Sequence, residues 1–227
     1  MHHHTLKTVL KASLLAVLAT VAASASAQRA GTMMFKLGVN QIDPQVSSGN
    51  LSAPAMPGTK IDVDAATSLI FTGTFMLTDN VSAELYAGLG YKHDVVGAGA
   101  IAGVGKLGTV KQISPTVFAQ YRFLGAASKL RPYVGLGLTY AHFYGEEGSG
   151  ALTALTNPGG PPTKLSAGSA WGISPQVGVS YFLNDRWYVD GSVIKTFIKN
   201  TSSLSTGQTI DTKLDPIVVN LSVGYRF

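Results

Sequence analysis

The chain has 227 residues, no cysteine, 13% charged residues and a formal net charge of +5. The lack of cysteine excludes a disulfide framework and any Cys-based zinc or redox site. The small, dispersed positive charge argues against a nucleic-acid partner. The charge content is about half the roughly 25% of an ordinary soluble domain and mean hydropathy is +0.22. Yet beyond the N-terminus no apolar run reaches the about 18 residues of a membrane helix, so the apolar surface must be accommodated in another way.

In chain order, "MHHHTLKTVLKASLLAVLATVAASASA" comes first. Lys7 and Lys11 precede an apolar run from Leu14 to Ala23 and an Ala25-Ser26-Ala27 cleavage site, the three parts of a secretory signal peptide. Residues 1–27 are read as a Sec-type leader cleaved near Ala27, and 28–227 as one barrel domain. His2, His3 and His4 leave with the leader and carry no metal role. Removing Lys7 and Lys11 from the 17 basic residues leaves 15 against 12 acidic ones, a net of +3.

The mature chain then alternates apolar and polar residues with period 2, the signature of strands whose side chains point to opposite faces. Eight spans show it, at about 32–44, 61–78, 81–93, 108–124, 131–145, 164–183, 186–200 and 209–227, to within roughly 2–4 residues. In the last, Ile217, Val219, Leu221, Val223, Tyr225 and Phe227 share one face, while Asn220, Ser222, Gly224 and Arg226 share the other. Three connections are tight (Thr78-Asp79-Asn80, residues 125–129 and Asn184-Asp185). Four are long, at about 45–60, 94–107, 146–163 and 201–208, and long and short alternate.

This predicts an all-β, eight-stranded antiparallel up-and-down transmembrane β-barrel with its short turns at the periplasmic end. Tyr121, Phe123, Tyr181, Trp187, Tyr225 and Phe227 lie near those turns and would form the periplasmic aromatic girdle. A soluble up-and-down barrel would turn its oily faces inward. Here the opposite face is rich in Gly, Ser and Thr and poor in Lys and Glu, a poor surface for water. Phe227 is then the last residue of a strand that closes on the first.

Several stretches carry a family likeness, in order along nearly the whole mature chain. They are "KLGVNQIDPQ" (36–45), "TGTFMLTDNVSAEL" (72–85), "YKHD" (91–94), "ISPTVFAQYRF" (113–123), "LRPYVGLGLTY" (130–140), "RWYVDGSV" (186–193) and "GYRF" at the end. Together they resemble the OmpW family of small outer-membrane proteins, which includes alkane-uptake proteins. The resemblance implies an eight-stranded barrel of the bacterial outer membrane with a narrow, hydrophobic channel. It implies passage of small apolar molecules with sideways release through the wall. It also implies that Tyr225 and Phe227 form the terminal signal read by the outer-membrane assembly machinery. Ile194-Lys195 departs from the pattern and puts Lys195 on the lipid face near the outer rim, where a lysine snorkels.

An eight-stranded barrel is just wide enough for its own side chains or one small ligand. Its inward face near the short turns holds Lys36, Glu84, Arg122, Asp190 and Arg226, and charges in such an interior must pair. These five read as a periplasmic plug, or equally as a network that only holds a filled barrel together. Higher up, Ile42, Ile70, Tyr86, Phe118, Tyr133, Phe143 and Ile198 are expected to line a hydrophobic lumen, unlike the wet interior of a porin. Ordinary barrel filling is the plainer alternative.

Pro115, Pro175 and Pro216 are read on the outward parity of their strands. Proline cannot donate to a ladder, so each is expected to disturb pairing and is a candidate lateral gate; a bulge that merely shapes the barrel is the other reading. "VVGAGAIAGVG" (95–105) is expected to be an apolar external loop over the entrance. It is no phosphate loop, because Ala100 and Leu107 stand where that pattern needs Gly and Ser or Thr. "LTALTNPGGPP" (152–162) reads as a mouth cap or a disordered loop.

Catalysis finds little support. The mature chain has two histidines, His93 and His142, and no Ser in an obvious nucleophile setting. No ligand spacing suggests a metal, and no cofactor is expected. His142 shares the outward parity of Leu138 and Tyr140. The expected function is passive uptake of small hydrophobic molecules. The expected surroundings are outer-membrane lipid and lipopolysaccharide. A plugged structural or receptor barrel, binding phage, host surfaces or lipopolysaccharide through its loops, is the alternative.

Overall fold

The computed structural model describes residues 28–227; the leader and its cleavage site fall outside the described residues. Strand-forming alternation produces one closed wall of eight antiparallel strands. They are β1 (Met33–Asp43), β4 (Ala66–Met76), β5 (Val81–Gly88), β8 (Thr116–Arg122), β9 (Leu130–Gly148), β11 (Ala170–Phe182), β12 (Trp187–Lys195) and β15 (Ile217–Arg226). Each pairs with the next in that order, and β15 returns to β1 with Phe35 opposite Tyr225 and Asp43 opposite Ile217. The Phe227 amide donates to the Met33 carbonyl at 2.9 Å. The terminal aromatic is therefore the last stitch of the closure, and closure removes the exposed edges that an open sheet would leave.

Along each of these strands burial alternates residue by residue. Leu37, Leu85, Leu136, Val177 and Leu221 are exposed on the outside, the band a bilayer would cover. At the short-turn end Tyr121 packs on Phe123 and Tyr225 lies between Trp187 and Phe227, with ring centroids 5.0–5.2 Å apart. A second aromatic group marks the opposite rim. The exposed His142 stacks between Tyr140 and Tyr144, and Tyr140 also meets Trp171 at 4.8 Å. The turns are tight for a local reason: the Asn184 side-chain oxygen accepts from the amides of Arg186 and Trp187, an Asx turn.

The expected spans are correct in place but too simple. Within their expected bounds only β1 and β9 run unbroken. The others are interrupted near one level, at residues 64–65, 89–90, 114–115, 168–169, 196–198 and 214–216. Above the interruptions stand shorter strands: β2 (Ser47–Ser48), β3 (Thr59–Val63), β6 (Tyr91–Gly99), β7 (Lys106–Ile113), β10 (Leu165–Ala167), β13 (Lys199–Leu204) and β14 (Thr209–Lys213). They form two ribbons, β3-β6-β7 with the top of β9, and β10-β13-β14-β2. Side chains join the seams: the Ala167 amide donates to Glu146 and the Ile61 amide to Ser48 Oγ.

The extension corrects the loop assignments. Val95–Gly99 belong to β6, and Val95 and Ile101 are buried inside, because period-2 pairing with β3 continues where small apolar residues suggested a loop. Residues 150–156 form a helix, α1 (Gly150–Thr156), with Ser149 as its N-cap and Leu152 buried. The Ser149 hydroxyl accepts from the Leu152 amide at 3.2 Å, the usual satisfaction of a helix start.

Candidate functional site

The interior divides into three levels. The floor, at the short-turn end, is a buried ionic cluster. Lys36 on β1 places Nζ 2.9 Å from Glu84 Oε2 on β5 and 3.2 Å from Asp190 Oδ1 on β12. Thr74 donates to Glu84 at 2.7 Å, and Ser180 and Tyr133 donate to Asp190 at 2.6 and 3.0 Å. Arg122 lies 4.7 Å from the centre of the Tyr133 ring and donates to Ser82, Ser180 and Gln120. Lys36 and Arg122 balance Glu84 and Asp190, so the cluster is neutral as a whole. Below it Met34, Met76, Phe182 and Tyr188 pack as an apolar base.

Two expected members sit elsewhere. Arg226 lies partly exposed at the periplasmic rim, where the Asp185 carboxylate is among the charges acting on it; it is one residue from the chain end, below the level of Lys36. Tyr133, expected in the hydrophobic lumen, belongs to the floor because its hydroxyl reaches Asp190. Gln120, Gln176, Ser180 and Tyr188 also complete the floor. Inward parity was their only signal in the sequence.

The middle level combines a polar network with apolar side chains. Asn40 donates to the hydroxyls of Tyr86 and Tyr91, and Tyr86 donates to Asn220 at 2.7 Å. Hydroxyls of Thr116, Thr139, Ser174 and Thr196 link in a row from β8 across β9 and β11 to the residue after β12, at 2.6–2.9 Å. Packed around this layer, Ile42, Ile70, Tyr86, Phe118, Ile194 and Val218 form one buried cluster, with Ile70 and Phe118 on its short-turn side. Phe143, Ile198, Val95, Val110 and Ala141 form the next. Of the seven residues expected to line the lumen, all but Tyr133 thus lie in apolar clusters.

Three cavities follow one another through these clusters. The uppermost, about 90 Å³, is lined by Leu51, Ile101, Leu107, Leu152, Leu165 and Leu204 among others. The second, about 60 Å³, shares Ile61, Val95 and Leu165 with the first. The lowest, about 30 Å³, shares Ile42, Ala141, Ile198 and Pro216 with the second and rests on Tyr86 and Thr116. Because neighbours share walls, they make one tapering apolar column that ends above the charged floor.

Residues 29–227 match the OmpW family. The chain belongs to that family. Outer membrane protein W of Salmonella typhi is 34% identical over 218 residues, covering 94% of this chain and 96% of that protein. The crystal structure of OprG from Pseudomonas aeruginosa superposes with a TM-score of 0.81 at 29% identity, over 89% of this chain and 99% of OprG. The dibenzothiophene metabolism operon protein PahQ of Pseudomonas aeruginosa is 23% identical over 180 residues, 78% of this chain and 79% of PahQ. This OmpW-family barrel is an outer-membrane protein like its relatives. Among its described residues no group of three or more His, Asp or Glu has metal-binding proximity.

The OmpW-family wall is interrupted around Leu89-Gly90. Pairing of β5 with β8 stops at Tyr86–Thr116, and pairing of β6 with β7 resumes at Tyr91–Gln112, one residue out of register. Pro115 lies in this gap, exposed. On the other side of Gly90, pairing of β4 with β5 ends at Ile70–Gly88 and that of β3 with β6 resumes in the same register at Val63–Val95, with the Leu89 amide donating to the Leu69 carbonyl and the Asp64 amide to the Asp94 carbonyl between them, both at 3.0 Å. Gly90 has φ +104, and a Cβ there would meet Tyr144 Oη at 3.2 Å, so only glycine suits this corner.

The other prolines are less disruptive. Pro175 is exposed and keeps its partner Leu136 on β9, and the β11–β12 register is the same above and below it. Pro216 is buried and lines the cavities, so its expected outward parity is wrong. It sits one position before outward Ile217 and therefore faces in. Lys195, expected toward lipid, is half-buried and donates Nζ to the Asp215 carbonyl beside Pro216.

Proposed function

We propose that this OmpW-family protein is a passive outer-membrane passage for small hydrophobic molecules. They descend the apolar column from outside and leave sideways into the membrane. The observation that carries this reading is the tapering column itself, closed below by buried ions and flanked by unpaired wall. An apolar solute gains by leaving water for such a lining, whereas the Lys36–Glu84–Asp190 floor offers it nothing. The PahQ relative, named for the metabolism of an apolar aromatic compound, is in keeping with this substrate class. Lipid and lipopolysaccharide are the surroundings of the outer band, and Tyr225 with Phe227 is the segment proposed for the assembly machinery.

The Pro115 window is the proposed exit. Replacing Pro115 by Ala restores an amide donor on the β9 side, where the Pro115 carbonyl already accepts from the Tyr140 amide at 3.0 Å, and so stiffens one bank of the window by about 0.5–1.5 kcal/mol for the added hydrogen bond. Cells carrying the parent protein are expected to take up an alkane faster than cells without it. Pro115→Ala lowers that uptake toward the background, while Pro175→Ala leaves it unchanged. Full uptake by a correctly inserted Pro115→Ala barrel contradicts the exit, and no gain with the parent protein contradicts the passage.

A further inference from the structure

Two buried polar atoms in the middle cavity have no partner in the protein. His93 on β6 is 3% exposed and lines this cavity, as does Thr212 on β14, also 3% exposed. His93 Nε2 and Thr212 Oγ1 are both without a hydrogen-bond partner. Other polar side chains of the same cavity are occupied: Gln112 donates to Ser114, Asn200 to the Gly168 carbonyl, and Ser202 to Asn200 Oδ1. A buried polar group left unpaired costs about 1–3 kcal/mol, so two of them in one apolar cavity call for an explanation.

The chemistry of His93 defines what is missing. Its Nδ1 lies 2.8 Å from the Asp64 carbonyl oxygen. A carbonyl only accepts, so Nδ1 carries the proton and donates. The Asp64 side chain is exposed, and no ion pair joins His93 to any carboxylate within the described residues. An unpaired imidazolium among Val95, Val110 and Phe143 would be costly, so the ring is neutral and Nε2 is a lone-pair acceptor. The missing partner must therefore donate. Thr212, whose hydroxyl both donates and accepts, suits a group that does both.

We propose that the middle cavity, where it joins the upper one, is a binding site for small apolar molecules bearing one hydroxyl, such as a phenol or short alcohol. The hydroxyl donates to His93 Nε2 or engages Thr212 Oγ1, and the apolar body extends past Ile61, Val95 and Leu165 into the upper cavity. The upper and middle cavities together match the roughly 150 Å³ of a cavity that takes up benzene. This deepens the reading of the column as the passage and rests on it: the site is a station on the way down that selects hydroxylated over bare hydrocarbon solutes.

The test is ¹⁵N-histidine NMR of the mature barrel in lipid nanodiscs, titrated with phenol, toluene and anisole. The exposed His142 is the internal reference. Phenol is expected to move the His93 Nε2 resonance saturably, while toluene and anisole compete for the cavity without moving it. Phenol should bind roughly three- to tenfold tighter than toluene, the worth of one net hydrogen bond. His93→Leu abolishes that preference and keeps toluene binding, and Thr212→Val, which alters one atom, reduces it if His93→Leu fails to fold. Equal binding of phenol and toluene with Nε2 unmoved overturns the hydroxyl site and leaves the apolar passage standing. An imidazolium signal at neutral pH also overturns it. Binding of none of the three probes overturns both.

Discussion

Replacing Lys36 by Met is expected to destabilise the barrel by about 3–5 kcal/mol, the cost of leaving buried charge without its partner. Glu84 and Asp190 are 1% and 2% exposed, and Lys36 is the cation within ion-pair distance of both. Arg122 is spent on Ser82, Ser180 and Gln120 and cannot take over without breaking that set. The loss should be read as a lower urea midpoint for unfolding from lipid vesicles. The combination Lys36→Met with Glu84→Gln should recover most of it, because Arg122 then balances Asp190 and the floor is neutral again. Parent-like stability of Lys36→Met alone would show that water reaches the floor and screens it.

Filling the column should abolish uptake while sparing the fold. Ala141 is 1% exposed and lines both the middle and the lowest cavity. A phenyl ring needs most of the roughly 150 Å³ that holds a benzene, more than these two cavities offer. Ala141→Phe is therefore expected to cost about 1–3 kcal/mol in overpacking and to bring alkane uptake down to that of cells without the protein. Ala119→Phe, on the exposed face of β8, serves as control and should leave uptake unchanged. Uptake that survives Ala141→Phe would place the route outside the column.

The barrel was legible because lipid outside and a narrow lumen inside force strict alternation, and alternation is local. The floor was partly legible: Lys36, Glu84, Arg122 and Asp190 share inward parity, and a charge there has few places to go. Its hydrogen-bonding partners were not, since Ser180, Gln176 and Tyr133 acquire their roles only through strands far away in sequence. The Tyr133 ring reads as apolar until its hydroxyl meets Asp190. The interruptions were the least visible feature. Six of the eight spans keep enough alternation across the break to read as one strand, and only Gly90 and the prolines hint at it. Pro216 illustrates the limit of parity: one residue's offset from Ile217 moves it from the lipid face to the cavity.

The most direct test of the passage is a paired permeation measurement. The purified barrel is placed in lipopolysaccharide-containing membranes, and the transfer rates of an alkane and of a polar solute of similar size are compared with protein-free membranes. An apolar column above a closed ionic floor predicts faster transfer of the alkane and no change for the polar solute. Faster transfer of the polar solute, or of neither, would contradict it: the first would mean a water-filled pore, the second a plugged barrel that binds rather than conducts.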